Sequence, residues 1–409
     1  MAERSVDFLL IGGGLASANC ARWLREEGGE GSILLVGRES DPPYNRPPLS
    51  KKYLSGAESR DDTLCRPDEW WKEQDIELLT RTSVMKLDAG ERRAKLSNGD
   101  EVSFDKALLA TGANVRRLRV DGCDLEGIHY LRALGNADAI AADAAEAERI
   151  VMIGGSFISC EVAATLASQG NQCAIVMEEE VTFERVYGKE VGGFFHRVLA
   201  EHGVEIHGSD SLAGFEGSGR VERVLTESGL SLEAGCVVIG AGVTPDVMLA
   251  KGAGLELGET GGVACSAGLE TSVPGIYAAG DICEYDSPVH GRPIRVEHWD
   301  VAFNQGKTAA LNMLGRDVAH EEIPYFFSDL ADWASSEYVG PGAGDAVIRG
   351  SMDDGEFTAF YVDGESGAVT AALTVGRSDD LEHARRFIRE KSAPPEERLA
   401  DAESDLAAL

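Results

Sequence analysis

The sequence has no CxxC or CxxxxC pair. Its eight cysteines stand singly at Cys20, Cys65, Cys123, Cys160, Cys173, Cys236, Cys265 and Cys283. A metal cluster or a redox disulfide motif relies on closer spacing, so these thiols are expected as small buried hydrophobes in a reducing compartment, with no metal site. No run of 18 apolar residues occurs, which excludes a membrane-spanning helix on hydropathy. The start, MAERSVDFLLIGGG, enters an apolar strand at once and leaves no room for a signal peptide, so the expected location is cytoplasmic. Positive charge is scarce: 38 lysines and arginines face 70 aspartates and glutamates, a net charge of −32. Such a surface repels nucleic acid and anionic membrane, and neither is an expected partner. Hydrophobic residues at 43% and charged residues at 26% suffice for a buried core and exclude wholesale disorder. A length of 409 residues suggests two to three domains.

Glycine, by contrast, is in excess, with 48 residues and no G-X-Y period. Much of it punctuates a duplication. Val6 to Ile11 is an apolar run ending in Gly12-Gly13-Gly14, and Ile150 to Ile153 is another ending in Gly154-Gly155-Ser156. A helical stretch follows each, Ala16 to Glu26 and Ile158 to Gln169. A second apolar run then follows, Ile33 to Val36 and Ala174 to Met177. Strand, glycine turn, helix and strand written twice is the pattern of two dinucleotide-binding units.

The residue types suit that chemistry. Gly12 allows the tight turn, Gly14 lets the backbone approach a pyrophosphate, and the following helix offers its N–H groups. Ser17 stands at the third glycine position, where helix and strand pack closely. In the second copy Ser156 and Ser159 replace the second and third glycines. Glu178 ends the second strand, where an acid accepts from a ribose 2′-hydroxyl. With Glu179 and Glu180 it would repel a 2′-phosphate, so NAD is expected rather than NADP.

Four segments occur in a fixed order: YNRPPLSK (Tyr44 to Lys51), ETSVPGIYAAGDI (Glu270 to Ile282), VEHWDVAFNQG (Val296 to Gly306) and PYFFSD (Pro324 to Asp329). Together they resemble the FAD-dependent ferredoxin and rubredoxin reductases of oxygenase systems, a group that includes apoptosis-inducing-factor-like flavoproteins. The resemblance implies an α/β fold with two Rossmann-like, glutathione-reductase-like dinucleotide-binding domains and a C-terminal α+β domain. Crossings near Gly112 and Gly242 would make residues 1–112 and 243–320 a discontinuous FAD domain, 113–242 an inserted NADH domain, and 321–409 the C-terminal domain. The last contains an antiparallel meander over Ala346 to Val375, a helix over about Asp380 to Glu390, and an acidic tail expected to be mobile.

The same resemblance supplies residue roles. Gly12, Gly14, Ala16, Thr111, Gly112 and Gly280 are expected around FAD, with Arg46 contacting it and Asp281 bonding the ribityl chain. Lys51 stands for the lysine beside the flavin N5 and Glu161 for the glutamate paired with it, which keeps a cation where reduction adds negative charge. Glu297, His298 and Trp299 line the flavin near the nicotinamide. Gly154, Gly155, Ser156, Phe157, Ile158, Glu178 and Gly242 are expected around NADH. The catalytic residues are Lys51, Glu161, Glu297 and Trp299. Two departures stand out. Arg38 occupies the usual place of the acid for the FAD adenosine ribose, leaving that role to Glu39. In the second copy, Arg185 is the nearest arginine for holding NADH.

Asp41 to Lys52 contains no cysteine, so no protein thiol would take up reducing equivalents. The resemblance implies hydride transfer from NADH to FAD and single-electron delivery to an acidic [2Fe–2S] ferredoxin or rubredoxin, with the chain a monomer or homodimer. Candidate docking cations are Arg292 and Arg295, Arg46 with Lys51 and Lys52, and Arg377; the triplet Arg116, Arg117 and Arg119 more often belongs to a solvated face. Two other functions fit the same fold: an NADH reductase of quinones or monodehydroascorbate, and a redox sensor with slow flavin reduction.

Overall fold

The computed structural model describes residues 3–342 and 345–409. The chain folds into two compact units, one of residues 1–45, 61–114 and 244–324, the other of residues 46–60, 115–243 and 325–409.

The first unit is built on the first glycine turn. Strand Glu3–Ile11 runs parallel to Ile33–Val36 on one side and to Glu101–Leu109 on the other. Leu9, Leu10, Leu34 and Leu35 are fully buried, as a central parallel strand requires. Strand Ile76–Leu79 extends one edge in parallel. The long strand Glu101–Leu109 has two further partners besides Glu3–Ile11. Its polar start pairs antiparallel with Arg93–Leu96, while its apolar end pairs parallel with Ile276–Ala278. Helix Leu15–Glu26, expected from Ala16, packs against helix Trp299–Met313. Their contact is close because Gly306 has no side chain: a Cβ there would lie 2.5 Å from the Ala16 carbonyl oxygen.

The second unit repeats the motif. Strand Arg149–Ile153, helix Phe157–Ser168 and strand Gln172–Val176 match the second copy within a few residues. Five parallel strands follow the order Glu205–His207, Gln172–Val176, Arg149–Ile153, Cys236–Ile239, Ile128–His129. Ser159 at the third glycine position is compensated across the sheet. Its buried Oγ donates to the Ile153 carbonyl at 3.1 Å, and Gly240 opposite leaves the room. A Cβ on Gly240 would sit 2.3 Å from Ser159 Oγ.

The same unit contains a five-stranded antiparallel sheet in the order Tyr325–Leu330, Ala334–Val339, Val369–Val375, Glu356–Val362, Asp345–Ser351. Its last three strands in the chain are the expected meander, and helix Asp380–Glu390 follows as expected. The tail after it is docked rather than mobile. It forms helix Glu396–Ala400, with Leu399 and Leu406 buried. Two guanidinium groups hold its carbonyls. Arg349, itself buried, donates to Asp401, to Ala402 at 3.0 Å and to Ser404 at 2.9 Å. Arg386 donates to Leu406 at 2.7 Å and Leu409 at 2.9 Å.

Two assignments of the sequence division differ from these units. Residues 46–60, expected with 1–112, lie in the second unit, because Thr165 Oγ donates to the Ser50 carbonyl at 2.7 Å and Tyr53 OH to Asp138 at 2.6 Å. Residues 325–409, expected as a separate domain, share that unit, where Tyr361 OH donates to the Tyr187 carbonyl at 2.9 Å.

Arg349→Ala strips the tail carbonyls of their donor and leaves Asp380 with Arg377 alone among its guanidinium partners. Urea unfolding is expected to show a loss of about 3 kcal/mol, with earlier proteolysis beyond Pro395. Gly240→Ala is expected to cost about 1–3 kcal/mol by overpacking, and Ser159→Gly added to it to restore most of that. A double-mutant cycle on unfolding free energies measures this coupling; additive losses would contradict it.

Candidate active site

In the first unit, the turn after strand Glu3–Ile11 is shaped for backbone approach. Gly12 has φ +122°, and a Cβ there would lie 2.1 Å from the Ala110 carbonyl oxygen. Gly14 is the N-cap of helix Leu15–Glu26, and a Cβ there would meet only open space. No side chain caps this helix, and no acid stands in its first turn, despite the 70 acids of the chain. An uncapped, acid-free helix start beside an open backbone fits a pyrophosphate. Ala16 lies beside Gly280, whose Cβ would come within 3.6 Å of the Ala16 methyl carbon. Gly280 (φ +78°) donates its N–H to Gln305 Oε1 at 2.8 Å and opens the short turn that carries Asp281. Gln305 Nε2 and Ser17 Oγ are buried without a protein partner, which is the condition of groups awaiting a polar ligand.

Other expected residues of this unit are placed as follows. Thr111 Oγ1 donates to the Asp246 carbonyl at 2.7 Å, next to Gly112 at φ +72°. Arg38, at the place of the usual acid, bonds Asp246 at 2.9 Å and Asn114 at 2.7 Å. Glu39 accepts from Tyr44 OH at 2.5 Å, which orients its carboxylate. Trp299 Nε1 donates to Asn45 Oδ1 at 2.9 Å, and its ring stacks on Phe303 at 5.4 Å. Arg295 bonds Glu297 and the Asp281 carbonyl, the latter at 3.0 Å. Desolvation pushes the His298 imidazole down to about 4, although the residue keeps some exposure, so it is neutral at pH 7.

In the second unit, Lys51 Nζ lies 2.8 Å from Glu161 Oε2. Glu161 is buried on helix Phe157–Ser168, where a lone carboxylate would be costly. Two further donors complete its shell: Ser50 Oγ to Oε2 at 2.5 Å and Ser328 Oγ to Oε1 at 2.7 Å. Lys51 Nζ also lies 5.6 Å above the Phe327 ring. Neither serine was singled out from the sequence, although both sit inside the quoted motifs YNRPPLSK and PYFFSD. Arg46 donates to the Arg132 carbonyl.

The second glycine turn sits in the same unit. Gly154 has φ +102°, and a Cβ on Gly155 would collide with Met177 Sδ at 2.3 Å. Ser156 is the N-cap of helix Phe157–Ser168; its hydroxyl makes no capping bond, and the first turn again holds no acid. Phe157 packs edge-on against Phe183, Tyr187 and Phe326, while Ile158 is more exposed. Glu178 is bonded by Arg185 at 2.9 Å, and the same guanidinium pairs with Glu179. Gly242 has φ +83°.

Six of the eight cysteines are buried and all are unbridged. Burial raises the Cys173 and Cys236 thiols to about 12, so they are protonated and poor nucleophiles. Among the described residues no group of three or more His, Cys, Asp or Glu could hold a metal ion, and no helix is long and apolar enough to cross a membrane.

Comparison with known proteins places this geometry in a family. Residues 6–306 match the pyridine nucleotide-disulphide oxidoreductase model and residues 326–409 the reductase C-terminal model. The chain is 33% identical to the ferredoxin–NAD(+) reductase component of the anthranilate 1,2-dioxygenase system of Burkholderia cepacia, over 96% of this chain and 97% of that one. A ferredoxin reductase of Rhodopseudomonas palustris superposes with a TM-score of 0.93 at 30% identity, covering 98% of this chain and 99% of the other. The reductase in a covalent putidaredoxin reductase–putidaredoxin complex gives a TM-score of 0.92 at 31% identity, covering 98% and 97%. With both glycine turns, both uncapped helices and the C-terminal module in place, the chain belongs to the pyridine nucleotide-disulphide oxidoreductase family.

Proposed function

We propose that this protein is an FAD-dependent NADH:ferredoxin oxidoreductase serving an oxygenase or P450 system. The observation that carries the reading is the Lys51–Glu161 pair, a fixed cation whose carboxylate is completed by Ser50 and Ser328. When bound, FAD supplies the chemistry of accepting a hydride from NADH and releasing its two electrons singly.

The chain's own residues do the rest. Gly12, Gly14 and Ala16 with the following helix hold the FAD pyrophosphate. Glu39 takes the adenosine ribose, and Arg46, Thr111, Gly112, Gly280 and Asp281 complete the FAD contacts. Gly154, Gly155, Ser156, Phe157, Ile158 and Gly242 hold NADH, with Glu178 on its adenosine ribose. Glu178 and Glu179 pair with Arg185, and Glu180 pairs with Lys189, so the cations of this stretch are engaged by carboxylates that disfavour a 2′-phosphate, and NADH is the donor. Lys51 offsets the negative charge that reduction places beside it, and Glu161 keeps its ammonium oriented. Glu297, His298 and Trp299 shape the reducing face, with His298 contributing no charge at pH 7. In domain terms, residues 1–112 and 243–320 are assigned to FAD, 113–242 to NADH and 321–409 to the C-terminal module.

The relatives are named for ferredoxin and putidaredoxin systems. The partner proposed here is an acidic [2Fe–2S] ferredoxin, with rubredoxin as the other small carrier, and the setting is cytoplasmic, as a monomer or homodimer. Docking onto a chain of net charge −32 needs local cations. Arg295 and Arg377 are committed to Glu297 and Asp380, whereas Arg292 is exposed and Lys52, also exposed, pairs only loosely with Glu58 at 3.7 Å.

Anaerobic stopped-flow following flavin bleaching near 450 nm tests the reading. NADH is expected to bleach fast and saturably, with NADPH at least tenfold less effective, a discrimination of about 1.4 kcal/mol. Slow bleaching by both would favour the sensor function instead. Steady-state reduction of a [2Fe–2S] ferredoxin is expected to fall as salt rises from 50 to 300 mM, because screening shortens the range of steering. A flat profile would remove the cation docking.

A further inference from the structure

Residues Leu257 to Val263, with the sequence LGETGGV, make a turn with few side chains in the first unit. Leu257 bridges Val263, and the Gly258 N–H donates to the Gly262 carbonyl at 2.9 Å. The turn wraps a carboxylate. Glu284 is only 3% exposed, and its Oε2 accepts from Thr260 Oγ1 at 2.6 Å, the Thr260 N–H at 3.0 Å and the Gly262 N–H at 3.2 Å. A buried carboxylate with such a set of donors is held in one orientation.

The two glycines exist for their neighbours. A Cβ on Gly258 would lie 2.2 Å from Glu284 Cδ, and one on Gly262 would lie 2.6 Å from Arg295 Cδ. The turn therefore clamps two side chains, a carboxylate and an arginine stem. Arg295 Nε donates to Thr260 Oγ1 at 3.2 Å. The hydroxyl thus accepts from Arg295 while donating to Glu284, and this fixes its rotor. At its far end Arg295 Nη1 donates to the Asp281 carbonyl at 3.0 Å and to Glu297.

We propose that Glu284 and Thr260 are positioning residues that hold Arg295, and through it Glu297 and the Asp281 backbone, in the geometry the flavin meets. This rests on the reading above, in which Asp281 and Glu297 face the flavin. Without the Thr260 hydroxyl the arginine stem regains rotamers and compensates Glu297 less completely. A less compensated carboxylate opposes the negative charge gained on reduction, so the bound flavin becomes harder to reduce.

The test uses the full chain with FAD bound and reads the flavin midpoint potential by equilibration with a reference dye. Thr260 is exposed on its outer side, so Thr260→Val is compatible with the fold. Thr260→Val is expected to weaken the preference for reduced flavin about tenfold, a shift of about 30 mV to lower potential for a two-electron couple. Thr260→Ser is expected to restore the wild-type potential, and Glu284→Gln to shift it in the direction of Thr260→Val. An unchanged potential in Thr260→Val, or a serine variant that behaves like valine, overturns the positioning role. If NADH still bleaches the flavin normally in that case, the reductase reading stands. A wild-type chain that takes up no FAD overturns the reading and the positioning role together.

Discussion

One buried carboxylate organises the second unit. Glu161 sits on a helix where water is excluded, and an ionised group there persists only with donors around it. Those donors come from stretches far apart in the chain: Ser50 and Lys51 from the segment 46–60, and Ser328 from the first strand of the antiparallel sheet. The requirement to satisfy Glu161 therefore ties three pieces of sequence into one unit. It also leaves the Lys51 ammonium group at a fixed position beside Glu161.

Charge is managed locally rather than globally. A net charge of −32 opposes the approach of pyrophosphates over most of the surface. Yet the first turns of helices Leu15–Glu26 and Phe157–Ser168 contain no acid, and neither has a side-chain cap. The helix N-termini thus keep their N–H groups and positive ends for a ligand. Arginines are correspondingly absorbed by structure. Arg38 goes to Asp246 and Asn114, Arg185 to Glu178 and Glu179, Arg295 to the 257–263 turn and Glu297, and Arg349 to the C-terminal tail.

Small residues show how a departure from a motif is accommodated. Ser159 replaces a packing glycine, which by motif logic loosens the helix–strand contact. The missing space is supplied instead by Gly240, just past the end of strand Cys236–Ile239. The two residues are 81 apart, and no local pattern connects them. Gly258 and Gly262 follow the same logic around Glu284 and Arg295.

The sequence by itself determined the two strand–turn–helix–strand units, the glycine positions at their turns, the meander and the helix that follows it. Period and turn chemistry are local properties, so they are legible along the chain. The place of Glu178 at the end of the second strand was legible in the same way, whereas the pairing of Lys51 with Glu161 came from the resemblance carried by the quoted motifs and not from local pattern. Only the tertiary structure decided the donors Ser50 and Ser328, the compensation of Ser159 by Gly240, and the use of Arg295 in a clamp rather than as a free surface cation. It also decided the docking of the tail on Arg349 and Arg386, where composition suggested mobility. Those outcomes depend on satisfying buried polar groups and filling space between distant segments, and such constraints exist only once the chain has folded.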